Sequence, residues 1–257
     1  MVAVLQKKRI NPQRPLYRVR EMEIKREFLY EDQQALVILT DDPQTASKYK
    51  KQGICCVGIC SDDLFFDGAS FVVSAPEDAD IHLLQLAWCR FNRVPYVIFR
   101  TEDIFCRESI LADYDELYAL TRGEKGVHFP EKDVFSAYIE NAYDFWGYGI
   151  WTVLAKLGTN WEIVGWIGID PGQEPETASD ELVQYYYGDA CQASAPELGF
   201  VIRKDLRRRG IAKRVCSQII EYASENLGIE NLVIRTGKDN EAAKALASSL
   251  GFKEKLD

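Results

Sequence analysis

Residues 197–213 have the sequence ELGFVIRKDLRRRGIAK, which combines an apolar segment, a basic loop and the start of a helix. The apolar run at 197–202 predicts a buried β-strand. A helix is predicted from Gly210 to about Glu225, because apolar side chains recur on one face at helical spacing: Ile211, Val215, Ile219 and Tyr222. With strands and helices predicted on both sides, this unit indicates an α+β domain.

The loop is far more basic than the chain as a whole. Residues 203–214 carry seven Lys or Arg side chains and one Asp, a net charge of +6, whereas the 257-residue chain has a net charge of −9. A local basic patch on an acidic protein indicates an anion site, while the overall charge argues against a nucleic-acid binder. No apolar run approaches the ~18 residues of a membrane span. We therefore expect no nucleic acid and no membrane as partners.

The seven cysteines predict a reducing compartment. Their number is odd, they are scattered, and the N-terminus lacks the apolar core of a secretory signal. With only two histidines and no second cysteine pair, a structural zinc site is not expected. We expect a cytoplasmic protein without a metal, in which Cys55, Cys56 and Cys60 are small buried hydrophobic side chains.

The predicted helix start at Gly210 is suited to a phosphate group. The first turn of a helix offers unpaired N–H groups and the positive end of the helix dipole. Gly210 and Ala212 keep large side chains away from an approaching ligand. The glycine patterns of nucleoside-triphosphate loops and of dinucleotide-binding folds are both absent. The residues alone leave a second interpretation open, a solvated basic turn before an ordinary amphipathic helix.

Three segments, in chain order, resemble the GNAT N-acetyltransferase family. Residues 207–212, RRRGIA, are similar to its acetyl-CoA loop Gln/Arg-x-x-Gly-x-Gly/Ala, and residues 240–252, NEAAKALASSLGF, to its Asn-led last helix. Residues 99–108, FRTEDIFCRE, resemble the opening strand of the subgroup that includes ribosomal-protein alanine N-acetyltransferases. The resemblance implies an acyl-CoA acyltransferase fold, α+β, with a mixed and mostly antiparallel sheet and flanking helices. It implies acetyl transfer from acetyl-CoA to a primary amine.

The resemblance also implies a role for each matching residue. Main-chain groups of the strand would pair with the pantetheine arm: Phe200, Val201 and Ile202. N–H groups around the helix start would hold the pyrophosphate: Arg208, Arg209, Gly210, Ile211, Ala212 and Lys213. The Asn240 side chain would hydrogen-bond the pantetheine near the thioester. In this family the amine attacks the thioester directly, so no cysteine needs a catalytic role.

Two positions bear on catalysis. The family commonly has a tyrosine as general acid seven residues after the last-helix Asn, and this chain has Ala247 there. Glu197, on the strand that borders the thioester, is the candidate general base, acting directly or through water. An ordinary Glu on a strand face is the alternative interpretation. The alternative function is a catalytically impaired GNAT-like module that binds acetyl-CoA or a partner.

Residues 170–189 suggest the charge of the acceptor. This loop-like stretch has six acidic side chains, no Lys or Arg, and the run Tyr185-Tyr186-Tyr187. Such a rim would suit a cationic amine or a protein N-terminus, and the alternative is a solvated insertion whose tyrosines dock on the body. Four tryptophans in or beside the predicted hairpin at 150–169 are expected in the core: Trp146, Trp151, Trp161 and Trp166.

Three parts are predicted along the chain: a basic N-terminal arm at 1–30, a small Rossmann-like α/β domain at 31–94 and the GNAT domain at 95–257. The α/β domain resembles the latter part of a haloacid-dehalogenase-like (HAD-like) core. That family's Asp-x-Asp nucleophile is absent between Met1 and Gln34. Thr40, Asp62 and Asp63 are therefore interpreted as caps and turn residues, and the domain as a non-catalytic scaffold.

The GNAT domain is expected to be short at its C-terminus. Five residues follow Phe252, where the family usually continues through one strand and then another. Either the chain is cut short, or a second copy of the chain or the basic arm completes the sheet edge. The first of these partners would make the protein a homodimer.

Overall fold

The computed structural model describes residues 22–60, 66–122, 131–171, 182–188 and 195–254. The chain divides into two compact units, Met1–Tyr96 and Val97–Asp257. Each unit has its own β-sheet, of four strands in the first and eight in the second. No helix in the described ranges is long and apolar enough to cross a membrane.

The first unit is a mixed four-stranded sheet with two helices. Its elements are β1 (Glu23–Tyr30), β2 (Gln33–Thr40), α1 (Pro43–Lys51), β3 (Cys55–Ile59), β4 (Phe71–Val73) and α2 (Ile81–Asn92). The strand order is β1-β2-β3-β4, with β1 antiparallel to β2 and the other neighbours parallel. All five residues of β3 are buried, as expected for an interior strand covered on both faces. Residues 33–92 therefore contain both strands and helices.

The last eight residues of the predicted N-terminal arm belong to the sheet. Residues Glu23–Tyr30 pair with Gln33–Thr40 along their whole length. The two-residue turn between them, Glu31-Asp32, has φ values of 46° and 65°, as tight hairpin turns require. The prediction of an arm over residues 1–30 was therefore wrong for 23–30. The turn has no Gly or Asn to mark it, and five of the eight β1 side chains are exposed.

Side-chain capping connects β2 to α1. The Thr40 hydroxyl accepts a hydrogen bond from the Asp42 N–H at 3.2 Å. The Asp42 carboxylate in turn accepts from the N–H groups of Gln44 and Thr45, at 3.2 and 2.8 Å. These bonds satisfy donors that the first helical turn leaves unpaired. Thr40 is thus a turn residue, as predicted, whereas Asp62 and Asp63 lie outside the described residues.

Two of the cysteines lie in the buried strand β3. Cys55 and Cys56 are buried, while Cys60, just after the strand, is only partly covered. Burial raises the pKa of the Cys55 thiol to about 11 and that of Cys56 to about 12. Both thiols therefore stay protonated at neutral pH. A protonated thiol is a poor nucleophile and a poor metal ligand. The prediction of buried hydrophobic cysteines is confirmed for Cys55 and Cys56.

In the residues that the structure describes, the second unit is a mixed eight-stranded sheet with four α-helices. Its strands are β5 (Val97–Arg100), β6 (Ile104–Glu108), β7 (Ile150–Leu157), β8 (Asn160–Asp170), β9 (Leu182–Tyr187), β10 (Glu197–Ile202), β11 (Leu232–Gly237) and β12 (Lys253–Glu254). Its helices are α3 (Tyr114–Thr121), α4 (Lys132–Phe145), α5 (Ile211–Leu227) and α6 (Glu241–Ser249). The strand order is β12-β9-β11-β10-β8-β7-β6-β5, and the neighbours are antiparallel except for β10 and β11. The predicted mixed, mostly antiparallel sheet is confirmed.

Strand β9 corrects the prediction of a loop over residues 170–189. Leu182–Tyr187 pairs antiparallel with β11 on one side and with β12 on the other. Tyr185 and Tyr186 are buried, so they do not form a solvent-facing aromatic rim. β9 and β12 of this same chain cover the side of β11 away from β10, so β11 needs neither a second copy of the chain nor the basic arm on that side.

A buried ion pair joins the end of β6 to the start of α3. Asp113 is 3% exposed, and its carboxylate accepts two hydrogen bonds from the Arg107 guanidinium, both at 2.7 Å. It also accepts from the Ile110 N–H at 3.0 Å and from the Thr152 hydroxyl at 2.8 Å. A carboxylate with this many donors is stable away from water. The cluster holds β6, β7 and the helical segment after β6 together.

Candidate active site

Strands β10 and β11 separate from each other after a single point of contact. β10 pairs with β8 over six residues, from Glu197 opposite Asp170 to Ile202 opposite Gly165. With β11 it pairs only through Glu197 and Val233. One side of β10 therefore faces an opening in the middle of the sheet. The opening is closed at Glu197, where the two strands pair, and extends toward Ile202, where the chain leaves for the loop before α5.

Strand alternation decides which main-chain groups face this opening. The Arg203 N–H donates to the Val164 carbonyl of β8, and the Pro196 carbonyl accepts from the Val233 N–H of β11. Because main-chain groups of successive residues point to opposite sides of a strand, Val201 is directed to β8. The Leu198 carbonyl and both groups of Phe200 are directed to the opening.

One predicted contact is therefore wrong and one was missed. Val201 cannot present its main chain to a ligand in the opening, because its N–H and C=O face β8. Leu198, which the sequence did not single out, can offer its carbonyl. Ile202 faces the opening too, although its carbonyl already accepts a hydrogen bond from Arg207 Nε at 2.8 Å. The alternation of strand residues would have identified this set, had the neighbour on each side been known.

The loop between β10 and α5 has a constrained backbone. Leu206 is buried and anchors the short 3₁₀ turn Lys204–Leu206. Arg208 and Gly210 both have left-handed conformations, with φ of 62° and 77°. Left-handed residues of this kind turn neighbouring N–H groups toward a common point, which is a frequent way of binding anions. A left-handed Arg is uncommon and costs free energy, so the loop shape is maintained by its surroundings.

The start of α5 leaves its N–H groups without acceptors. Gly210 precedes the helix and has no side chain to cap it, and the first hydrogen bond across the start runs from the Arg214 N–H to the Gly210 carbonyl at 3.1 Å. The N–H groups of Ile211, Ala212 and Lys213 therefore find no acceptor among the described residues. The buried Ile211 side chain fixes the direction of this first turn. These predicted phosphate-binding residues thus lie together at one helix start.

Five of the seven basic side chains in residues 203–214 divide into two groups. Arg203 is paired with Glu162 at 3.0 Å and with Asp205 at 2.9 Å, and Arg214 is paired with Asp103 at 2.9 Å. Three others are exposed and form no ion pair with the described residues: Arg208, Arg209 and Lys213. The positive charge that remains available is therefore concentrated around the start of α5. It adds to the helix dipole in attracting an anion.

Glu197 lies at the closed end of the opening and has a buried partner. Its carboxylate accepts a hydrogen bond from Arg235 Nη1 at 2.5 Å. Burial raises the pKa of Glu197 above its usual value, while the Arg235 guanidinium lowers it and the charge of Asp170 raises it further. The Nε of Arg235 is buried and has no hydrogen-bond partner in the described structure. Sequence inspection found Glu197 but not Arg235, since the two meet only through the pairing of β10 with β11.

The last two positions lie on α6. Asn240 precedes the helix, where its side-chain oxygen accepts a hydrogen bond from the Ala243 N–H at 3.2 Å. Its side chain is exposed, and the amide NH₂ makes no hydrogen bond within the described residues. Ala247 is fully buried in the body of the unit. The position at which the family commonly has a tyrosine therefore carries no proton donor.

The comparison with protein families gives a match over most of the second unit. A family model described as an acetyltransferase (GNAT) domain matches residues 105–253. The chain belongs to the GNAT acetyltransferase family. GNAT acetyltransferases use acetyl-CoA as the acetyl donor, so the predictions of an acetyltransferase and of acetyl-CoA as co-substrate are confirmed. No curated protein matches the sequence.

Solved structures of acetyltransferases are among those similar to this chain, all at low identity. An acetyltransferase from Agrobacterium tumefaciens is 21% identical with a TM-score of 0.45, over 60% of this chain and 81% of its own. The ribosomal-protein-alanine N-acetyltransferase of Brucella melitensis is 19% identical with a TM-score of 0.44, over 59% and 85%. The Salmonella typhimurium protein yncA, solved with its cofactor acetyl-CoA, is 16% identical with a TM-score of 0.43, over 58% and 79%.

Proposed function

We propose that this GNAT protein transfers an acetyl group from acetyl-CoA to a primary amine by direct attack of the amine on the thioester. One observation carries the proposal. The opening beside β10 begins at the Glu197 carboxylate and leads to the unpaired N–H groups at the start of α5. A partly buried carboxylate thus lies at one end of β10, and the N–H groups of the helix start follow the loop at its other end.

The cofactor would lie along this strand. The amide groups of the pantetheine arm would pair with the Leu198 carbonyl and with both main-chain groups of Phe200, as an added strand would. The pyrophosphate would accept hydrogen bonds from the N–H groups of Ile211, Ala212 and Lys213. This orientation brings the thioester to the closed end of the opening, near Glu197. The exposed amide of Asn240 is available to the pantetheine from the α6 side.

Glu197 is the proposed general base. It would take a proton from the incoming ammonium group, directly or through water, and leave a neutral amine. The amine nitrogen then bonds to the thioester carbonyl carbon, the carbon–sulfur bond breaks, and sulfur leaves with the electron pair. The second proton of the nitrogen goes to the departing thiolate. A carboxylate whose pKa is raised by burial is a better base near neutral pH than an exposed one.

Acetyl-CoA binding and coenzyme A release test the proposal separately. Saturating acetyl-CoA should raise the melting temperature, and the variant with Arg208 and Arg209 both changed to Glu should bind it more weakly. With an amine panel, Glu197→Gln should lower kcat by about 10²- to 10⁴-fold and leave the Kd for acetyl-CoA nearly unchanged. Unchanged melting of the well-folded protein with acetyl-CoA would refute the proposal. Equal rates for Glu197→Gln and the parent protein would remove Glu197 as base.

A second candidate function is an impaired GNAT module that binds acetyl-CoA without turnover. Two observations favour it: position 247 has no phenol, and the Glu197 carboxylate is already bonded to Arg235. This module would bind acetyl-CoA and release no coenzyme A with any amine tested. Calorimetry followed by a thiol assay on the same sample separates the two functions.

We further propose that the first unit is a non-catalytic scaffold with a Rossmann-like, HAD-like arrangement. The parallel strands β2, β3 and β4 support this proposal. The described residues contain no group of three or more His, Cys, Asp or Glu side chains placed to hold a metal ion. Magnesium-dependent release of phosphate from an aryl phosphate would contradict the scaffold role. We also propose that the protein is cytoplasmic and that it forms a homodimer. Light scattering tests the homodimer.

A further inference from the structure

The end of α4 presents aromatic side chains to the surface. Phe145 is 69% exposed and Trp146 is 43% exposed, and their rings are in contact at a centroid distance of 4.7 Å. The prediction that Trp146 and Trp161 lie in the core was wrong, whereas Trp151 and Trp166 are buried. Neighbouring exposed aromatic rings are uncommon on a monomer surface, and they often mark a binding site.

These rings line a cavity of about 520 Å³ between α4 and the end of β8. Its other walls include Tyr138 and Asn141 of α4, and Tyr148, whose ring centroid lies 6.4 Å from that of Trp146. The size falls in the range of cavities that hold small molecules. The lining is mainly aromatic and aliphatic, with few polar groups, as is usual for sites that recognise an organic ligand.

The charge of the cavity is negative. Asp170 is the one charged residue that lines it in the described structure, and no Lys or Arg takes part. Burial, together with the charge of Asp170, raises the pKa of Tyr138 to about 12 and raises that of Tyr148. Both phenols therefore stay neutral and lie near this carboxylate. Aromatic faces beside a carboxylate attract a cation, since the ring quadrupole and the anion act in the same direction.

The cavity adjoins the proposed site of acetyl transfer. Asp170, at the end of β8, is directly opposite Glu197 of β10. Residues opposite each other in an antiparallel pair have their side chains on the same face of the sheet. The electrostatic effect of Asp170 on Glu197 agrees with this placement. A cation held by Asp170 would thus be next to the base at the closed end of the opening.

We propose that this cavity is the acceptor subsite and that it takes a primary amine of small-molecule size with an aromatic or other apolar body. The body would pack against Phe145 and Trp146, and the ammonium group would lie at Asp170. The ammonium then gives its proton to Glu197, and the amine attacks the thioester as described above. The inference rests on the proposed acetyl transfer and adds to it the chemical class of the acceptor.

Binding and turnover of 2-phenylethylamine test the inference, with ethylamine and 2-phenylethanol as probes that lack the ring or the charge. Calorimetry should show binding of 2-phenylethylamine at least tenfold tighter than binding of either probe. Trp146→Ala and Phe145→Ala should each raise the KM for 2-phenylethylamine by about tenfold and leave the Kd for acetyl-CoA unchanged. Both side chains are exposed, so neither variant should unfold the protein.

Two further variants complete the design. Asp170→Asn should weaken the binding of 2-phenylethylamine about tenfold and leave that of 2-phenylethanol unchanged, because only the amine is charged. Trp161→Ala is the matched control, since Trp161 is similarly exposed at 37%, lies outside the cavity and packs on Phe105. It should leave the KM for 2-phenylethylamine within twofold of the parent value.

The outcomes separate the inference from the proposed function. If coenzyme A is released with some amine of the panel but 2-phenylethylamine binds no better than ethylamine, the acceptor subsite is refuted and acetyl transfer stands. A peptide with a charged first residue that reacts with a higher kcat/KM than 2-phenylethylamine would also overturn it. If 2-phenylethylamine binds in a manner that depends on Trp146 and Asp170 while acetyl-CoA fails to bind, the subsite stands and acetyl transfer fails.

Discussion

Replacing Gly210 by Asp and, in a parallel variant, by Asn tests the phosphate site at the start of α5. Gly210 has φ of 77°, and a Cβ atom added there would meet nothing within 4 Å. The cost of either substitution is therefore backbone strain, about 1–2 kcal/mol for an L-residue and less for Asn and Asp, which tolerate this conformation best. Both variants should fold, and they differ only in charge.

The expected loss of affinity follows from electrostatics. For a diphosphate held by the N–H groups of Ile211, Ala212 and Lys213, we take a separation of about 5 Å from a carboxylate at position 210. Two unit charges at that distance repel by about 0.8 kcal/mol at the dielectric constant of water and by about 3 kcal/mol near a protein surface. Gly210→Asp should therefore bind acetyl-CoA about 5- to 150-fold more weakly than Gly210→Asn.

The melting temperature without ligand supplies the internal control. A carboxylate at the positive end of a helix is stabilising by about 0.3–1 kcal/mol, so Gly210→Asp should melt no lower than Gly210→Asn. Stability and affinity should thus change in opposite directions between the two variants. Calorimetry with acetyl-CoA measures the affinity. The difference in Kd between Gly210→Asp and Gly210→Asn should become smaller at high salt. Equal Kd values for Gly210→Asp and Gly210→Asn at low salt would refute a phosphate at this helix start.

Three other predictions concern the charged and titratable groups. Arg235→Gln should raise the pKa of Glu197 further, because it removes the cation whose charge offsets the effect of burial on that pKa. The acid limb of the profile of kcat/KM against pH should then move to higher pH, and an unmoved limb would exclude Glu197 as the base. Asp113→Ala leaves Arg107 buried without its partner and should lower the free energy of unfolding by about 3–5 kcal/mol in urea, whereas a loss below about 1 kcal/mol would show that water replaces the carboxylate. Burial lowers the pKa of His82 below 6.5, so as the pH falls the unfolded chain binds a proton at His82 before the folded chain does. The free energy of unfolding should therefore fall as pH drops below about 6.5. His82→Gln should remove that part of the pH dependence in urea titrations, and an identical pH dependence in the variant would contradict the prediction.

Local signals predicted most elements of the second unit. The strand at 197–202 and the helix opening at Gly210 are found at those residues, and the last helix begins after Asn240. Each depends on interactions within a few residues, such as apolar periodicity or a cap, so neighbouring sequence carries the necessary information.

Strand β9 shows where such local information ends. Its segment LVQYYY contains Val and Tyr residues that favour strands, yet nothing nearby identifies its partners. These are Leu232–Gly237 and Lys253–Glu254, which lie 45 to 69 residues further along the chain. Pairing with β11 buries Tyr185 and Tyr186, which excludes the solvent-facing rim and favours the alternative, tyrosines that dock on the body. Long-range hydrogen bonding and burial therefore decided between the two interpretations.

The sequence by itself indicated many of the elements, the basic helix start and the family pattern, because these depend on residues close together in the chain. Tertiary structure alone decided which side of β10 is open, since this depends on β11 meeting it only at Glu197. It also brought Arg235 to Glu197 and set Asp170 opposite Glu197, beside the aromatic cavity. Contacts between segments 27 to 38 residues apart are set by the packing of the sheet, which no local pattern encodes.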